Sequence, residues 1–331
     1  MKRLAYGLTF MLVFTPAIAA QDATTRLYGD FRYSYNRADA GDSSHWAGAN
    51  NATRLGVRAD LAGRSFTVFA DLQVGVSVEG EAGGGAFTQR YYLAGIRGAA
   101  GTLTVGRHST PYKLAGLRLD PFYDTSTLSA GGAAPSAGLF AGASYGLSIL
   151  TNGWADRTIA YASPAFGGFT VNAAAYLDTE SDHDYGLGLG YQGAGFQAGV
   201  QYHQVGGGRT WVQTAGVGDA LRGHASYERD AWAVGGSFER IHAAGGGSQN
   251  LMYAAATFDA TTALMLAAAV GHVEAGPVQP VTGTGFHAGV FYTLYPQARL
   301  HALYSRLPPD LGPDRGNLAL GLTYHFALSS P

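Results

Sequence analysis

From residue 21 onward the apolar residues of this chain recur at every second position, not every 3.6. Leu27, Phe31, Tyr33 and Tyr35 interleave with Tyr28, Asp30, Arg32 and Ser34. Phe66, Val68, Ala70, Leu72, Val74 and Val76 interleave with Thr67, Phe69, Asp71, Gln73 and Gly75, and the same rhythm runs through 196–203 and 317–326. That period puts one row of side chains on each face of a pleated sheet. One face is apolar with aromatic ends, and the other is polar, charged or glycine. A water-soluble sandwich would bury its apolar face too, so the rhythm alone does not choose between a soluble sheet and a membrane barrel.

The number and spacing of the segments make the choice. Strands are expected near 26–37, 51–61, 65–78, 88–98, 101–110, 156–164, 169–178, 184–192, 196–205, 219–230, 232–243, 250–260, 263–274, 284–295, 298–307 and 316–326. Sixteen is an even number, and tilted strands of about 9–11 residues cross a bilayer core. Tight connections such as 62–64, 99–100, 193–195 and 296–297 alternate with long ones such as 38–50, 79–87, 111–155, 206–218 and 308–315. The expected fold is therefore all-β: a 16-stranded antiparallel transmembrane β-barrel, with both termini on the short-turn side. Closure leaves no unpaired backbone facing lipid, and sixteen strands leave a wet lumen, so a channel is the expected function.

Residues 1–20 read as a signal peptide. Lys2 and Arg3 precede an apolar run from Leu4 to Ile18, and Ala17-Ile18-Ala19-Ala20 supplies small residues before a cut. The alternative, a membrane anchor, would want a longer run. Removing those residues leaves 19 basic against 23 acidic side chains, a net charge of −4. The expected barrel domain is then 21–331. The charge balance excludes the basic excess of a nucleic-acid binder. With no cysteine, the chain has no disulfides, no thiol nucleophile and no cysteine-ligated metal. No cofactor is implied.

The longest stretch without periodicity is 111–155, and loops of that length are usually functional. Folded inward, it would narrow the lumen and bring Asp120 and Asp124 to the narrowest point; a surface loop with Asp-Pro as turn chemistry is the plainer reading. Across from it, Arg26, Asp30 and Arg32 share one face of the first strand, Arg54 and Arg58 one face of the second, and Asp71 and Gln73 point inward from the third. Arg107 falls on the apolar parity unless a bulge turns it. Arginines facing loop carboxylates would select solutes by field and width. The blander alternative is that the arginines only solvate the lumen and brace the loop.

Other classes fit less well. Gly142-Ala143-Ser144-Tyr145-Gly146 matches a hydrolase elbow, which would make a barrel lipase, but no helix pattern follows it. Gly186, Gly188 and Gly190 are strand alternation rather than a phosphate loop. The ten histidines form no metal-ligand pair on a helix, so no metal and no enzyme is expected. An adhesin or receptor barrel would carry larger outer loops. A sugar channel would want more inward aromatics than Tyr28 and Phe69.

Several motifs together resemble the general porins of Gram-negative bacteria, especially the trimeric type of Neisseria, Bordetella and Burkholderia relatives. They are Leu27-Tyr28-Gly29, Thr53-Arg54-Leu55-Gly56, Gly101-Thr102-Leu103-Thr104-Val105-Gly106-Arg107-His108, Asp120-Pro121-Phe122, and the block Arg157 to Phe169. The resemblance covers the whole mature chain. It implies a trimeric outer-membrane barrel with a third loop folded into the lumen, inserted by the barrel-assembly machinery. It also implies passive diffusion of small hydrophilic solutes and ions. Carried over, Arg32, Arg54, Arg58 and Arg107 would line a constriction facing Asp120 and Asp124. Two departures stand out: His108 replaces the usual Gln, and Ala327-Leu328-Ser329-Ser330-Pro331 follows Phe326, the aromatic at which the family chain ends.

Overall fold

A computed structural model describes residues 22–40, 43–78, 86–126, 154–177, 184–205, 217–277, 282–307 and 315–330. Residues 1–20 and most of the stretch after Ser126, including Gly142–Gly146, lie outside the described residues.

The first half of the sheet comprises β1 (Asp22–Ala40), β2 (Ser43–Asn50), β3 (Arg54–Ala62), β4 (Phe66–Val76), β5 (Phe87–Gly98), β6 (Gly101–Ser109), β7 (Trp154–Ala162) and β8 (Phe169–Tyr176). The second half comprises β9 (Asp184–Gly193), β10 (Phe196–Gln204), β11 (Val217–Arg229), β12 (Trp232–Ala243), β13 (Ser248–Asp259), β14 (Leu264–Val273), β15 (Gly283–Tyr295), β16 (Ala298–Leu307) and β17 (Arg315–Ser330). Among the described residues one helix, α1 (Pro111–Leu117), interrupts them.

Apart from β2 and β3, which both pair with β1, each strand pairs antiparallel with its sequence neighbours, and β1 pairs with β17 to close the sheet. β2 and β3 lie end to end along β1, so the segments form a closed barrel of sixteen staves. The junction between them is a local device. Ala52 takes a left-handed φ of 63°, and the Thr53 hydroxyl replaces a ladder partner by donating to the Arg32 carbonyl at 3.1 Å and accepting from the Arg32 N–H at 3.0 Å.

The alternation seen in the sequence becomes two surfaces. In β9, Tyr185, Leu187 and Leu189 are exposed while Asp184, Gly186 and Gly188 are buried. In β14, Leu266, Ala268 and Val270 point out and Ala267, Ala269 and Gly271 point in. A soluble protein exposing this much apolar surface would aggregate; here lipid covers it. Aromatics gather at the short turns, where Phe66, Phe169, Phe196, Trp232 and Tyr295 are all exposed, forming one of the girdles that sit at a membrane interface. Those turns are tight: Ala194 at φ 51° and Gly195 at φ 78° make the two-residue connection whose twist matches the strands.

Three expected boundaries move. The connection expected at 38–50 is mostly strand, with Arg37 opposite Trp46 and Ala40 opposite Ser43. The last strand runs past Phe326, and its tail stays in register, Tyr28 opposite Ala327 and Thr25 opposite Ser330. The expected unstructured loop opens with a helix.

Candidate functional site

The charged wall is built by register. β1 and β3 place Asp30 opposite Arg54, and β3 and β4 place Arg58 opposite Asp71. Arg54 Nε pairs with Asp30, and Arg32 reaches the same carboxylate at 3.5 Å. Arg58 donates to both oxygens of Asp60 at 2.8 and 3.0 Å, stands 3.6 Å from Asp71 and lies 4.6 Å over the Phe69 ring. Tyr28 donates to Asp71 at 2.5 Å.

Arg107 sits at the bulge where the register shifts between Gly106 and His108, with Gly106 at φ 126°. Its guanidinium pairs with Asp156 at 2.6 Å instead of reaching the loop.

The loop starts with a capped turn. The Thr110 side chain accepts from Lys113 N at 3.1 Å and Pro111 occupies the first turn, where its missing N–H costs nothing. The helix then divides by face. Tyr112, Lys113 and Gly116 are buried against the wall, while Leu114 and Arg118 are exposed toward the lumen.

Three anchors hold the segment across the barrel. At the first, the Tyr112 hydroxyl donates to Glu239 at 2.8 Å, its ring stacks on His203 at 4.1 Å, and Arg222 lies 4.4 Å over it. Arg222 also pairs with Glu239 at 3.0 Å, and both are buried. At the second, Leu119 and Phe122 join Tyr253, Ala267, Ala269, Phe291 and Leu303 in an apolar cluster, with Phe122 stacked on His287 at 4.9 Å. At the third, Arg54 Nη1 donates to Asp124 at 3.2 Å, Arg32 to the Tyr123 carbonyl at 3.4 Å, and His301 to the Thr125 carbonyl at 2.8 Å.

The two loop carboxylates therefore have different places. Asp124 meets the arginine wall; Asp120 turns to the opposite wall, accepting from Tyr253 at 2.9 Å and from Phe122 N at 2.9 Å. Burial raises the Asp120 carboxyl to about 6, against those two hydrogen bonds. Burial, helped by the neighbouring Arg90, lowers Lys113 to about 7. Its ammonium rests 3.8 Å from the Trp154 ring, whose plane also receives Arg90 at 4.8 Å.

Arg90, Tyr112, Arg222, Glu239 and Tyr253 were not singled out from sequence. The signal that was open is alternation with the exposed Leu221 and Phe238, which puts Arg222 and Glu239 on the inner face, but nothing local ties them to a residue more than a hundred positions away.

Beside the docked segment lies a cavity of ≈ 570 Å³. Arg58, Asp71 and Tyr91 line one side, Thr104 and Asn172 another, and Arg118 the loop side.

A sequence model of the Gram-negative porins matches residues 7–307. No curated protein sequence matches the chain. Among solved structures, the anion-selective porin from Comamonas acidovorans is similar, with 16% identity over 92% of this chain and 100% of that one and a TM-score of 0.73. OmpF from Salmonella typhi, solved with daunomycin, shares 14% identity over 91% of this chain and 97% of that one, at a TM-score of 0.66. OmpT, an outer membrane protein of Vibrio cholerae, shares 15% over 93% and 100%, at 0.65. At these identities the structures speak for the fold, and the family match extends over most of the chain: it belongs to the Gram-negative porins, channel-forming β-barrels of the outer membrane.

Proposed function

We propose that the barrel lets small hydrophilic solutes and ions diffuse passively across the outer membrane, with residues 111–155 as its constriction loop and residues 1–20 as the export signal removed from the 21–331 barrel. The observation that carries this reading is the cavity of ≈ 570 Å³ left between the charged wall and the docked loop. A solute passing there meets Arg58, Asp71 and Arg118, while the Arg54–Asp124 contact sets how far the loop stands from the wall.

The lumen favours anions modestly. Arg32, Arg54, Arg58 and Arg97 are matched by Asp30, Asp124, Asp60 and Asp71. Among the described residues Arg90 and Arg118 have no carboxylate partner, and this surplus positive charge raises the local anion concentration, with Lys113, lowered to about 7 by burial, adding to it only in part. Arg32, Arg54 and Arg58 act on solutes through that field, and Arg107, held by Asp156, contributes at longer range.

The functional unit is a homotrimer in this reading, as in the family. The in-register tail after Phe326 leaves that aromatic inside the terminal strand for the assembly machinery to read. The chain carries out no reaction. The larger-looped adhesin or receptor reading gains nothing from the described residues, since the polar groups converge inside the barrel.

Planar-bilayer recording tests the proposal. Conductance should rise with salt, and a salt gradient should give a reversal potential on the anion side. Folded protein that does not conduct would remove the channel reading.

A further inference from the structure

The cavity has an uneven distribution of charge. Its acid, Asp71, is already engaged by Tyr28 and Arg58. On the loop side α1 is capped at its C-terminus by Arg118, whose guanidinium is exposed to the lumen and has no acid partner among the described residues. The chain places it firmly: the next residue, Leu119, is buried in the apolar cluster and comes within 3.1 Å of where a Gly235 side chain would begin, a point that is also 2.9 Å from Ser226. Arg118 therefore stands beside the inner faces of β11 and β12, and Gln197 and Gln201 of β10 line the same cavity.

That wall is neutral but rich in hydrogen-bonding groups. Gln197 and Ser226 are opposite one another across β10 and β11, and both line the cavity. Gln201 lies flat over Gly188, where any side chain would collide with its amide. Thr104 and Asn172 continue the row on β6 and β8. Leu114 and Leu93 add apolar surface.

We infer that this cavity is a binding waypoint for small hydroxylated carboxylates: Arg118 takes the carboxylate in its fork, and the amide and hydroxyl row takes the solute's hydroxyls. A guanidinium matches a carboxylate with two parallel donors, a geometry that lysine lacks. Amide and hydroxyl side chains both donate and accept, which suits hydroxyls that need each. A chloride ion would use the first feature and not the second, and a neutral polyol the reverse. The site rests on the diffusion reading and adds a preferred solute class to it.

The test is inhibition of chloride current in planar bilayers by added gluconate, with sorbitol as a neutral polyol of similar size and propionate as a carboxylate without hydroxyls. Wild-type current should fall more with gluconate than with either control, by roughly two- to fivefold in inhibitory potency, the scale of one exposed charge contact. Arg118→Gln should bring gluconate down to the sorbitol level, Arg118→Lys should fall between, and Gln201→Ala with Ser226→Ala should bring it to the propionate level. Each variant is scored against its own current before addition, so altered conductance cancels. Equal inhibition by gluconate and sorbitol in wild type, or an unchanged gluconate effect in Arg118→Gln, overturns the site while leaving the channel. Folded wild type that passes no current overturns both.

Discussion

Arg54 donates to Asp124 at 3.2 Å, tying the second stave of the barrel to the inserted loop across 70 residues of sequence. Asp124 is buried, and Arg54 is its guanidinium partner. Replacing Asp124 with Asn removes a negative charge at the arginine wall, and the reversal potential in a salt gradient should move toward anions. Asp120→Asn, on the far wall with Tyr253, should move it less. No shift at Asp124 would place that acid outside the ion path, and equal shifts would remove the difference between the two walls.

Phe122 is fully buried between His287 and Phe291. Phe122→Ala should weaken loop docking by about 3–5 kcal/mol, the usual cost of emptying an aromatic site. Hydrogen exchange in 111–126 should rise while strand amides stay protected, and open-channel noise should increase. Parallel loss of strand protection would mean the loop and barrel unfold as one unit.

Glu239 is buried between Arg222 and the Tyr112 hydroxyl. Glu239→Gln leaves the Arg222 charge buried without its counter-ion and should cost about 3–5 kcal/mol. Arg222→Met combined with Glu239→Leu should recover most of that loss, since an apolar pair has no charge to desolvate. Thermal unfolding in detergent orders the three proteins. A double variant weaker than Glu239→Gln would show that this pair stabilises beyond its desolvation.

Loop anchoring should pass through a minimum near pH 6–7. Asp120 has a folded value of about 6 against 3.8, so between those values the docked state holds the extra proton and anchoring weakens as pH rises. Lys113 has a folded value of about 7 against 10.5, so across that window the released state holds more protons and anchoring strengthens as pH rises. Exchange rates in 111–126 measured from pH 4 to 10 should trace both limbs, with Asp120→Asn flattening the acid limb and Lys113→Met the alkaline one.

Deleting Ala327–Pro331 should leave a closed barrel, because pairing from Gly29–Phe326 to Ala38–Asn317 survives. Assembly yield in liposomes should fall modestly and conductance should persist. Loss of all folded protein would show that the tail pairs with β1 before closure.

The strands were legible because alternation is local. The expected 196–205 is Phe196–Gln204, and the expected 232–243 is Trp232–Ala243. Where alternation lapses, legibility ends: Ala38 to His45 carries no apolar rhythm, and its hairpin follows from backbone pairing alone. Helix α1 is seven residues long, too short for a period, so the stretch from residue 111 reads as lacking regular structure. Wall residues such as Arg54, Arg58 and Asp71 could be assigned a face by parity. Their partners could not, since Tyr112 finds Glu239 and Asp120 finds Tyr253 only once the sheet has curled.

The seam between β1 and β17 joins Thr25 to Ser330, nearly the two ends of the described chain. Until the final strand arrives, the sheet has two raw margins whose amides and carbonyls cannot enter hydrocarbon. Entry into the bilayer is thus coupled to arrival of the last strand: a copy that stops short of β17 stays outside the membrane and installs no half-open leak.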